Sequence, residues 1–543
     1  MPGAQEEDQT AHEGHSERKI LQTEVSAVRT EEAPFHAGEV CVGALRRIYD
    51  RRGRGNAENA VKKAIAQLGD HEQKDPVSRA FVADSVLGVV VRWLTLHFVL
   101  VTLLTSVAQS EAAAGALSRE GNGLSAADVG VLNGFQRPGE GKAYEGLTAE
   151  GRDFLVRALL LIYWDTFMPA HLRGCCGPKS RDGQAAFLDG RSAEDESRRA
   201  LAEAIVDAQR QMCTDQLLAG QPLWVRSSLP EWLVSKWESE YGTETAEMVA
   251  MASCQRGTTT LRVNSLKTTR EAFLASLRER NVNASPTKTS PYGVTLEARR
   301  PRGVSLRELG GWHSGDFELQ DEGSQLIACA CRQLDGPQAA TSPLIIDLCA
   351  GRGGKTLALA AMYPSGRIYA YDTDHTRLDD IEWRLPRSHA SSCVSVVRDG
   401  QQLAALKGKA DIVLVDAPCS SLGALRRHPG LRWQLNQTET TLPALQTAIL
   451  LGARDYVRPG GLLVYATCAL SRHENDHVAA VMDRQSGFAP CPCPLLTSAI
   501  NAGELCGEVG RSGHCTLFPS GGGGTDGFFV ARWTREDTGV AEM

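Results

Sequence analysis

The sequence predicts an α/β fold with a mostly parallel sheet in its C-terminal part, preceded by a small α+β region and an all-helical N-terminal region. Three observations support this assignment. A buried strand, a glycine-rich turn and a helix follow one another between Leu344 and Thr356. Further short apolar runs, typical of strands, end in acids or thiols. Before residue 220 the longer apolar segments have the length and composition of helices.

The strand Leu344–Leu348 is apolar and partly β-branched, as expected of a central parallel strand. Gly351, Gly353 and Gly354 then allow a tight turn and a close approach of a ligand to the backbone. The helix predicted over Lys355–Met362 presents its N-terminal amides and positive dipole end at this turn. The segment therefore predicts a site for an anionic or carboxylate-bearing ligand, although a packing role for the glycines is the simpler alternative.

Two ligand classes fit this turn. Gly354-Lys355-Thr356 resembles the end of a phosphate-binding loop, but Cys349 stands where that pattern requires glycine. The next predicted strand leads to Asp372, twenty-five residues after Asp347 and near the expected position of a ribose-binding acid. An adenosyl ligand is therefore favoured over a nucleoside triphosphate.

Two later strands also end in reactive side chains. One leads through Asp416 to Cys419, and the other ends at Cys468. The carboxyl ends of parallel strands meet at one edge of a sheet, so these residues should lie in one crevice with Asp347 and Asp372. A single thiol here is usually inert core, but two thiols beside an acid favour chemistry. The Asp416 strand would alternatively be the magnesium-binding strand of an NTPase.

The chain is long enough for several domains, and composition suggests their boundaries. Residues 1–34 are predicted to be a disordered acidic tail, with eight acids against three bases. Residues 35–220 form the helical region, within which Gln109–Gly146 and Arg173–Glu196 are predicted to be insertions or loops. Residues 221–312 form the small α+β region and residues 313–535 the α/β domain.

Composition also narrows the possible environments. Fifteen cysteines without a disulfide framework indicate a reducing intracellular compartment, and their spacing does not predict a structural zinc or any other metal site. The tail resembles neither a secretory signal nor an Arg-rich transit peptide. The apolar segment Val86–Leu104 contains Arg92 and His97, so we expect a buried helix rather than a membrane span.

A nucleic-acid partner would need a local basic patch. The tail contributes five of the seven net negative charges, which leaves the remainder nearly neutral. The predicted strand Thr260–Lys267 places Arg262 and Lys267 where they would contact phosphates, although such residues are usually ordinary surface.

Seven short motifs follow one another along the C-terminal part of the chain: Arg262-Val-Asn264, Gln320-Asp-Glu-Gly323, Asp347-Leu-Cys-Ala-Gly-Arg-Gly-Gly-Lys-Thr356, Asp416-Ala-Pro-Cys-Ser420, Arg426-Arg-His-Pro429, Tyr465-Ala-Thr-Cys468 and Asp526-Gly-Phe-Phe529. In this order they resemble the motifs of the Sun/RsmB-type RNA cytosine-C5 methyltransferases. The resemblance covers Pro222–Trp533. More weakly, Asp84–Leu104 is similar to the NusB-like helical domain that precedes the catalytic domain in the bacterial rRNA enzyme of this family.

The resemblance implies a class I methyltransferase (Rossmann-like) domain that binds S-adenosylmethionine. In that arrangement Asp372 would hold the ribose hydroxyls, Asp399 would contact the adenine, and Asp416 would lie between the cofactor and the target base. The turn departs from the family pattern at Gly351-Arg352, where Ala-Pro is usual. Three roles are open for Arg352: pairing with the cofactor carboxylate, pairing with an RNA phosphate, or obstructing the pocket. The methionine and sugar would be lined by Cys349, Ala350, Gly351, Arg352, Gly353, Gly354 and Lys355.

The two thiols fit the chemistry that this resemblance implies. Cytosine C5 becomes nucleophilic only after a thiolate adds to C6. By resemblance Cys468 is that nucleophile and Cys419 assists release of the product, although the sequence alone leaves their order open. The target base must be unstacked, so a looped or locally opened RNA is expected. The residues after the Cys419 strand that would contact the RNA backbone are Arg426, Arg427, His428 and Arg432.

The sequence thus predicts a monomeric RNA cytosine-C5 methyltransferase that acts on rRNA, is not membrane-bound and works in the cytoplasm, with the nucleolus or an organelle as other compartments. Two other functions remain open. One is a non-catalytic RNA-binding assembly factor that keeps the fold, and the other is a P-loop NTPase.

Overall fold

The protein is described here by a computed structural model that covers residues 33–50, 57–69, 73, 75–108, 149–168, 180–189, 196–211, 214–297, 309–332, 342–433, 435, 441–521 and 524–537. The chain divides into two compact units, residues 1–220 and residues 221–543. The insertion predicted at Gln109–Gly146 lies outside the described residues, as does the predicted tail up to residue 32.

The described part of the first unit is helical, in keeping with the fold class expected for this region. A buried Arg157 ties two of its helices together, because it forms ion pairs with Glu39 and with Asp153. Part of the loop predicted at Arg173–Glu196 is instead a helix, since Phe187 and Leu188 are buried there. The helices are Ala33–Asp50, Ala57–Ile65, Pro76–Val91, Trp93–Ala108, Ala149–Thr166, Arg181–Asp189, Glu196–Gln211 and Thr214–Ala219.

The sequence predicts a single buried helix over the apolar segment Val86–Leu104, but the structure shows two helices there. The segment is broken at Arg92, and the parts Ser78–Val91 and Thr95–Leu104 meet at an angle of 82°. Among the described residues no single helix is long and apolar enough to cross a membrane. This bent pair passes the same test of length and composition when its two parts are taken together.

The described part of the second unit contains two sheets. Its strands are β1 (Thr259–Val263), β2 (Ala284–Pro286), β3 (Gly293–Leu296), β4 (Phe317–Leu319), β5 (Leu344–Asp347), β6 (Arg367–Tyr371), β7 (Val394–Val397), β8 (Ala410–Asp416), β9 (Val457–Thr467), β10 (Phe488–Pro490), β11 (Gly507–Val509), β12 (Cys515–Leu517) and β13 (Phe528–Arg535). Its α-helices are Leu223–Ser227, Glu231–Tyr241, Thr243–Ser253, Arg270–Glu279, Glu322–Ala330, Gly354–Met362, His375–Ser388, Gly400–Ala404, Thr441–Ala453, Asp476–Asp483 and Pro494–Asn501. Short 3-10 turns lie at Leu422–Ala424, Pro429–Trp433 and Arg454–Tyr456.

The large sheet has the order β11-β12-β13-β9-β8-β5-β6-β7, with β10 added beside β13. Strands β9, β8, β5, β6 and β7 are parallel, whereas β13 runs antiparallel to β9. Alternate residues enter opposite apolar layers: Ile345 belongs to one and Ile346 to the other. Because both faces are covered, the central strands β5 and β8 are buried along almost their whole length, and this confirms the expected α/β class.

The small sheet has the order β2-β3-β1-β4 and packs against the helix Arg270–Glu279. Strand β4 pairs with β1 although it lies beyond residue 312, where the sequence had placed the end of this region. Glu318 on β4 is buried and accepts hydrogen bonds from Arg384 and Arg387 of the helix beside β6. These contacts fix the small sheet against the large one.

Candidate active site

The carboxyl ends of β5, β6, β8 and β9 carry Asp347, Asp372, Asp416 and Cys468 at one edge of the sheet. Strands β9, β8, β5 and β6 are consecutive neighbours, so the crevice predicted from the sequence is present. Asp399 follows β7 at the same edge, is exposed, and caps the short helix Gly400–Ala404.

The glycine turn after β5 is held by Asp372. One oxygen of its carboxylate accepts a hydrogen bond from the backbone nitrogen of Gly351 at 2.8 Å, and the other accepts one from Asp374 at the same distance. Gly351 and Gly353 both have positive φ, 53° and 82°. A Cβ on Gly353 would come within 2.8 Å of Ile381, whereas a Cβ on Gly351 would meet no atom within 4 Å. The turn therefore needs a glycine at 353 for packing and leaves open space at 351.

Asp347 is fully buried beneath this turn. Its Oδ2 atom accepts a hydrogen bond from the Thr356 hydroxyl at 2.6 Å, while its Oδ1 atom has no hydrogen-bond partner. Burial raises the pKa of Asp347 to about 7. A buried acceptor that the fold leaves unsatisfied is costly and marks a place where a donor from a ligand would be accommodated.

These residues fit an adenosyl amino-acid cofactor. The turn offers backbone amides and open space at Gly351, and Asp372 is a carboxylate whose oxygens can accept further hydrogen bonds from hydroxyls. No side chain caps the helix Gly354–Met362, so its N-terminus is available to a carboxylate.

Arg352 does not obstruct the turn. Its side chain is 75% exposed and forms an ion pair with Asp380, and its backbone oxygen accepts a hydrogen bond from Arg384. Of the three roles left open by the sequence, obstruction of the pocket is therefore wrong.

The two thiols meet at the ends of β8 and β9. Cys419 Sγ lies 3.3 Å from Cys468 Sγ, and Cys468 Sγ lies 3.4 Å from Ser421 Oγ. Both cysteines are partly exposed. Ser421 has a φ of 58°, a left-handed conformation that is rare for serine and typical of strained functional loops.

The electrostatics of the two thiols differ. The hydrogen bond between the two sulfurs, in which either could be the donor, lowers the pKa of Cys468 and, together with burial, raises the pKa of Cys419. The Ser421 hydroxyl and the Lys355 ammonium also lower the pKa of Cys468. Together these contacts favour the thiolate at Cys468.

Lys355 and Asp416 complete this group. Lys355 Nζ lies 2.7 Å from Asp416 Oδ2. Burial opposes the charge on Lys355, but Asp416 outweighs it and raises the pKa of the ammonium. Asp416 keeps part of its carboxylate exposed to the crevice.

Several polar residues that the sequence analysis missed hold this geometry. Asn475 accepts a hydrogen bond from the Thr467 hydroxyl at 2.6 Å and donates one to the Ala469 carbonyl at 2.9 Å, on either side of Cys468. Glu474 binds the loop of Cys419. The polar pair Glu474-Asn475, placed in a turn just after a strand-end thiol, was the signal available in the sequence.

Four of the six residues predicted to contact RNA have protein partners instead. Arg262 is buried and donates to Gln320, and Arg432 is buried and donates to the Ser253 carbonyl. Arg426 and Arg427 form ion pairs with Asp526, and Arg427 also pairs with Asp321. Burial of Arg262, Arg426 and Arg432 argues against their assignment to phosphates, whereas the assignment of Arg427, whose side chain is 26% exposed, stays a prediction.

For the other two residues, Lys267 and His428, contact with RNA remains a prediction. Lys267 is partly exposed and donates to the Ser314 carbonyl, and His428 is exposed.

The last of the sequence motifs, Asp526-Gly-Phe-Phe529, supports the site by backbone packing. Gly423 and Gly527 are in backbone contact, because a Cβ on Gly423 would lie 2.2 Å from the Gly527 carbonyl oxygen. Gly527 donates to the Gly423 carbonyl and Gly423 donates to the Cys468 carbonyl, each at 2.9 Å. The segment Asp526-Gly527 thus supports the loop that carries Cys419.

Comparison with known proteins agrees with this geometry. Residues 336–534 match the family described as 16S rRNA methyltransferase RsmB/F, and residues 229–302 match the ferredoxin-like domain of RsmF/B-like methyltransferases. The chain is 33% identical over 265 residues to ribosomal RNA small subunit methyltransferase B of Proteus mirabilis, which is 48% of this chain and 60% of the relative. It is 32% identical over 317 residues to the protein of the same name from Sodalis glossinidius, which is 58% of this chain and 67% of the relative. The chain belongs to the RsmB/F methyltransferase family.

Family membership confirms the class I methyltransferase fold and S-adenosylmethionine as the cofactor, and it removes the NTPase alternative. The chain spans 60% of the length of the first of these relatives. The solved structure of PH0851 is similar in fold, with a TM-score of 0.60 and 19% identity, and the match covers 93% of this chain and 99% of that one.

Proposed function

We propose that this protein is an S-adenosylmethionine-dependent RNA cytosine-C5 methyltransferase that uses Cys468 as its nucleophile. The observation that carries the proposal is the pair of thiols 3.3 Å apart at the end of two neighbouring strands, next to the Lys355–Asp416 ion pair. The relatives named as ribosomal RNA small subunit methyltransferases make small-subunit rRNA the first substrate to test.

The side chains divide the reaction between them. The Cys468 thiolate adds to C6 of the base, and C5 becomes nucleophilic and accepts the methyl group. S-adenosylmethionine, when bound, supplies that group. A base then removes the C5 proton, the C6–S bond breaks, and the electron pair returns to sulfur. Cys419 Sγ lies 3.3 Å from Cys468 Sγ, where its thiol can donate a hydrogen bond to the departing sulfur and so assist that release.

Asp416 explains why cytosine is the base that this site would select. A carboxylate accepts a hydrogen bond from the exocyclic amino group of cytosine, whereas uracil presents an oxygen at that position. The Lys355 ammonium lies 2.7 Å from this carboxylate and holds it in position. Because the base must enter a crevice at a sheet edge, the substrate would be a nucleotide that is unstacked from its helix.

The test is methylation of unmodified small-subunit rRNA by the purified protein with S-adenosylmethionine, followed by bisulfite sequencing. A new 5-methylcytosine at a single position supports the proposal. Cofactor binding without methylation of any rRNA would favour the alternative of a non-catalytic assembly factor.

The two adjacent thiols also require a reducing compartment, and we propose the cytoplasm, nucleolus or an organelle interior.

A further inference from the structure

Glu474 is a buried carboxylate next to the two thiols that the proposed reaction leaves without a role. Its Oε2 atom accepts hydrogen bonds from the Ser420 backbone nitrogen and from Gln446 Nε2, each at 2.9 Å. Its Oε1 atom accepts one from the Ser420 hydroxyl at 2.5 Å. All three donors are neutral, and within the described chain no Lys or Arg forms an ion pair with this carboxylate.

The contacts of Glu474 connect the two thiol loops. Gln446, which donates to Glu474, also donates to the Pro418 carbonyl at 2.9 Å, so both neighbours of Cys419 are held. On the other side, the Tyr465 hydroxyl donates to the backbone carbonyl of Glu474 at 2.7 Å. Tyr465 lies on β9 three residues before Cys468. Glu474 therefore fixes the position of Cys419 relative to Cys468.

The charge of Glu474 acts unequally on the two thiols. Cys468 faces the Lys355 ammonium as well as Asp416. Cys419 faces Glu474, and the hydrogen bond to Cys468, burial and this negative charge together raise the pKa of Cys419. The described titratable groups around the pair are thus Lys355, Asp416, Tyr465 and Glu474.

We propose that Glu474 is a positioning residue that assigns different roles to the two thiols. It holds the Cys419 loop against β9, and its charge keeps the proton on Cys419 so that Cys468 carries the negative charge. This role rests on the proposed methyl-transfer function, in which one thiol attacks and the other assists release.

Two variants separate the charge of Glu474 from its hydrogen bonds. In Glu474→Gln the amide oxygen can keep the two N–H donors, while the amide nitrogen faces the Ser420 hydroxyl, which can rotate to accept. This variant loses the charge alone. Glu474→Ala loses the hydrogen bonds as well. Glu504→Gln, at an exposed glutamate after the helix Pro494–Asn501, is the matched control.

The deciding measurement is the rate of iodoacetamide alkylation of each thiol, resolved by mass spectrometry of peptides across a range of pH, without RNA or cofactor. In the parent and in Glu504→Gln, Cys468 should react faster than Cys419. In Glu474→Gln the ratio of the two rates should fall about tenfold, which corresponds to about one unit of relative pKa. An unchanged ratio in Glu474→Gln, with a parental melting temperature, would overturn the proposal.

Methylation assays on the same proteins separate this inference from the proposed function. If the parent methylates RNA, Glu474→Gln should lower kcat and leave KM for RNA unchanged. An unchanged kcat overturns the role of Glu474 while the methyltransferase function stands. If the parent methylates no RNA, the proposed function fails, and the alkylation ratio still decides whether Glu474 sets the difference between the thiols.

Discussion

The Arg426 guanidinium and the Asp526 carboxylate form a buried ion pair, with Nε 2.5 Å from Oδ1 and both side chains 3% exposed. Arg426 also donates to the carbonyls of Ser520 and Gly524. The pair links the loop after Cys419 to the segment before β13. The pair therefore stabilises the loop that carries Cys419. Because the Arg426 guanidinium is buried in this pair, it is not available to an RNA phosphate.

Replacing Arg426 by Ala should destabilise the second unit. Breaking a buried ion pair costs about 3–5 kcal/mol when the remaining charge is left uncompensated. Asp526 keeps Arg427 as a second partner, so we expect a loss at the lower end of that range. Arg352→Ala is the control, because its pair with Asp380 is exposed and is worth at most about 1 kcal/mol. Chemical denaturation monitored by tryptophan fluorescence measures both. Equal stabilities of the two variants would show that the Arg426 pair contributes little.

Stability should also depend on pH through Asp347. Burial raises the pKa of Asp347 to about 7 in the folded protein, above its ordinary value of about 4. Between these values the folded state binds more protons than the unfolded state, so this group makes the protein less stable as pH rises from about 4 to 7.

Asp347→Asn should remove that dependence. The stability of the variant relative to the parent should rise between pH 5 and pH 8 by about 3 kcal/mol, because about two pH units of this window lie below the folded pKa and each is worth about 1.4 kcal/mol. Asp379→Asn, at an exposed acid, should show no such trend. A parent and Asn variant with parallel pH profiles would mean that Asp347 is ionised normally in the folded protein.

The cofactor site gives the next prediction. Asp372→Ala removes an acceptor for two ribose hydroxyls and the acceptor that holds Gly351, so S-adenosylmethionine binding should weaken by about 2–3 kcal/mol. Asp372→Asn keeps one acceptor oxygen and should weaken binding less. Asp380→Asn, which changes only the exposed partner of Arg352, should bind as the parent does. Calorimetry that finds parental affinity in Asp372→Ala would remove this residue from the site.

The sequence predicts which residues lie together at one edge of the sheet, but it does not predict the partners of the arginines. Asp347, Asp372, Asp416 and Cys468 each end an apolar run or immediately follow one, and strand order alone brings such positions together. The partner of Arg426 is Asp526, a hundred residues along the chain. No local pattern distinguishes an arginine that meets such an acid from one that meets a phosphate.

The same limit applies within the thiol site. Cys419 and Cys468 could be placed side by side because β8 and β9 are neighbours, but Glu474 reaches Ser420 only through the turn that follows β9. The break of the apolar segment at Arg92 was missed for a related reason. Composition indicates that the segment is buried, and tertiary packing decides where it bends.

The last prediction is that replacing Cys419 and replacing Cys468 block the reaction at different steps. In Cys419→Ala, attack by Cys468 and methyl transfer remain possible while release is impaired. This variant should therefore accumulate a covalent protein–RNA adduct that survives a denaturing gel and requires S-adenosylmethionine.

Cys468→Ala cannot form the bond to C6, so it should give neither an adduct nor methylated RNA. The Ser421 hydroxyl and the Lys355 ammonium beside Cys468 favour the thiolate on that sulfur, in keeping with this order. If both thiols serve only packing, each variant loses some stability and neither forms an adduct. An adduct from Cys468→Ala and none from Cys419→Ala would exchange the two roles. Full methylation by both variants would show that neither thiol is needed to make C5 nucleophilic, and it would remove the proposed cysteine mechanism.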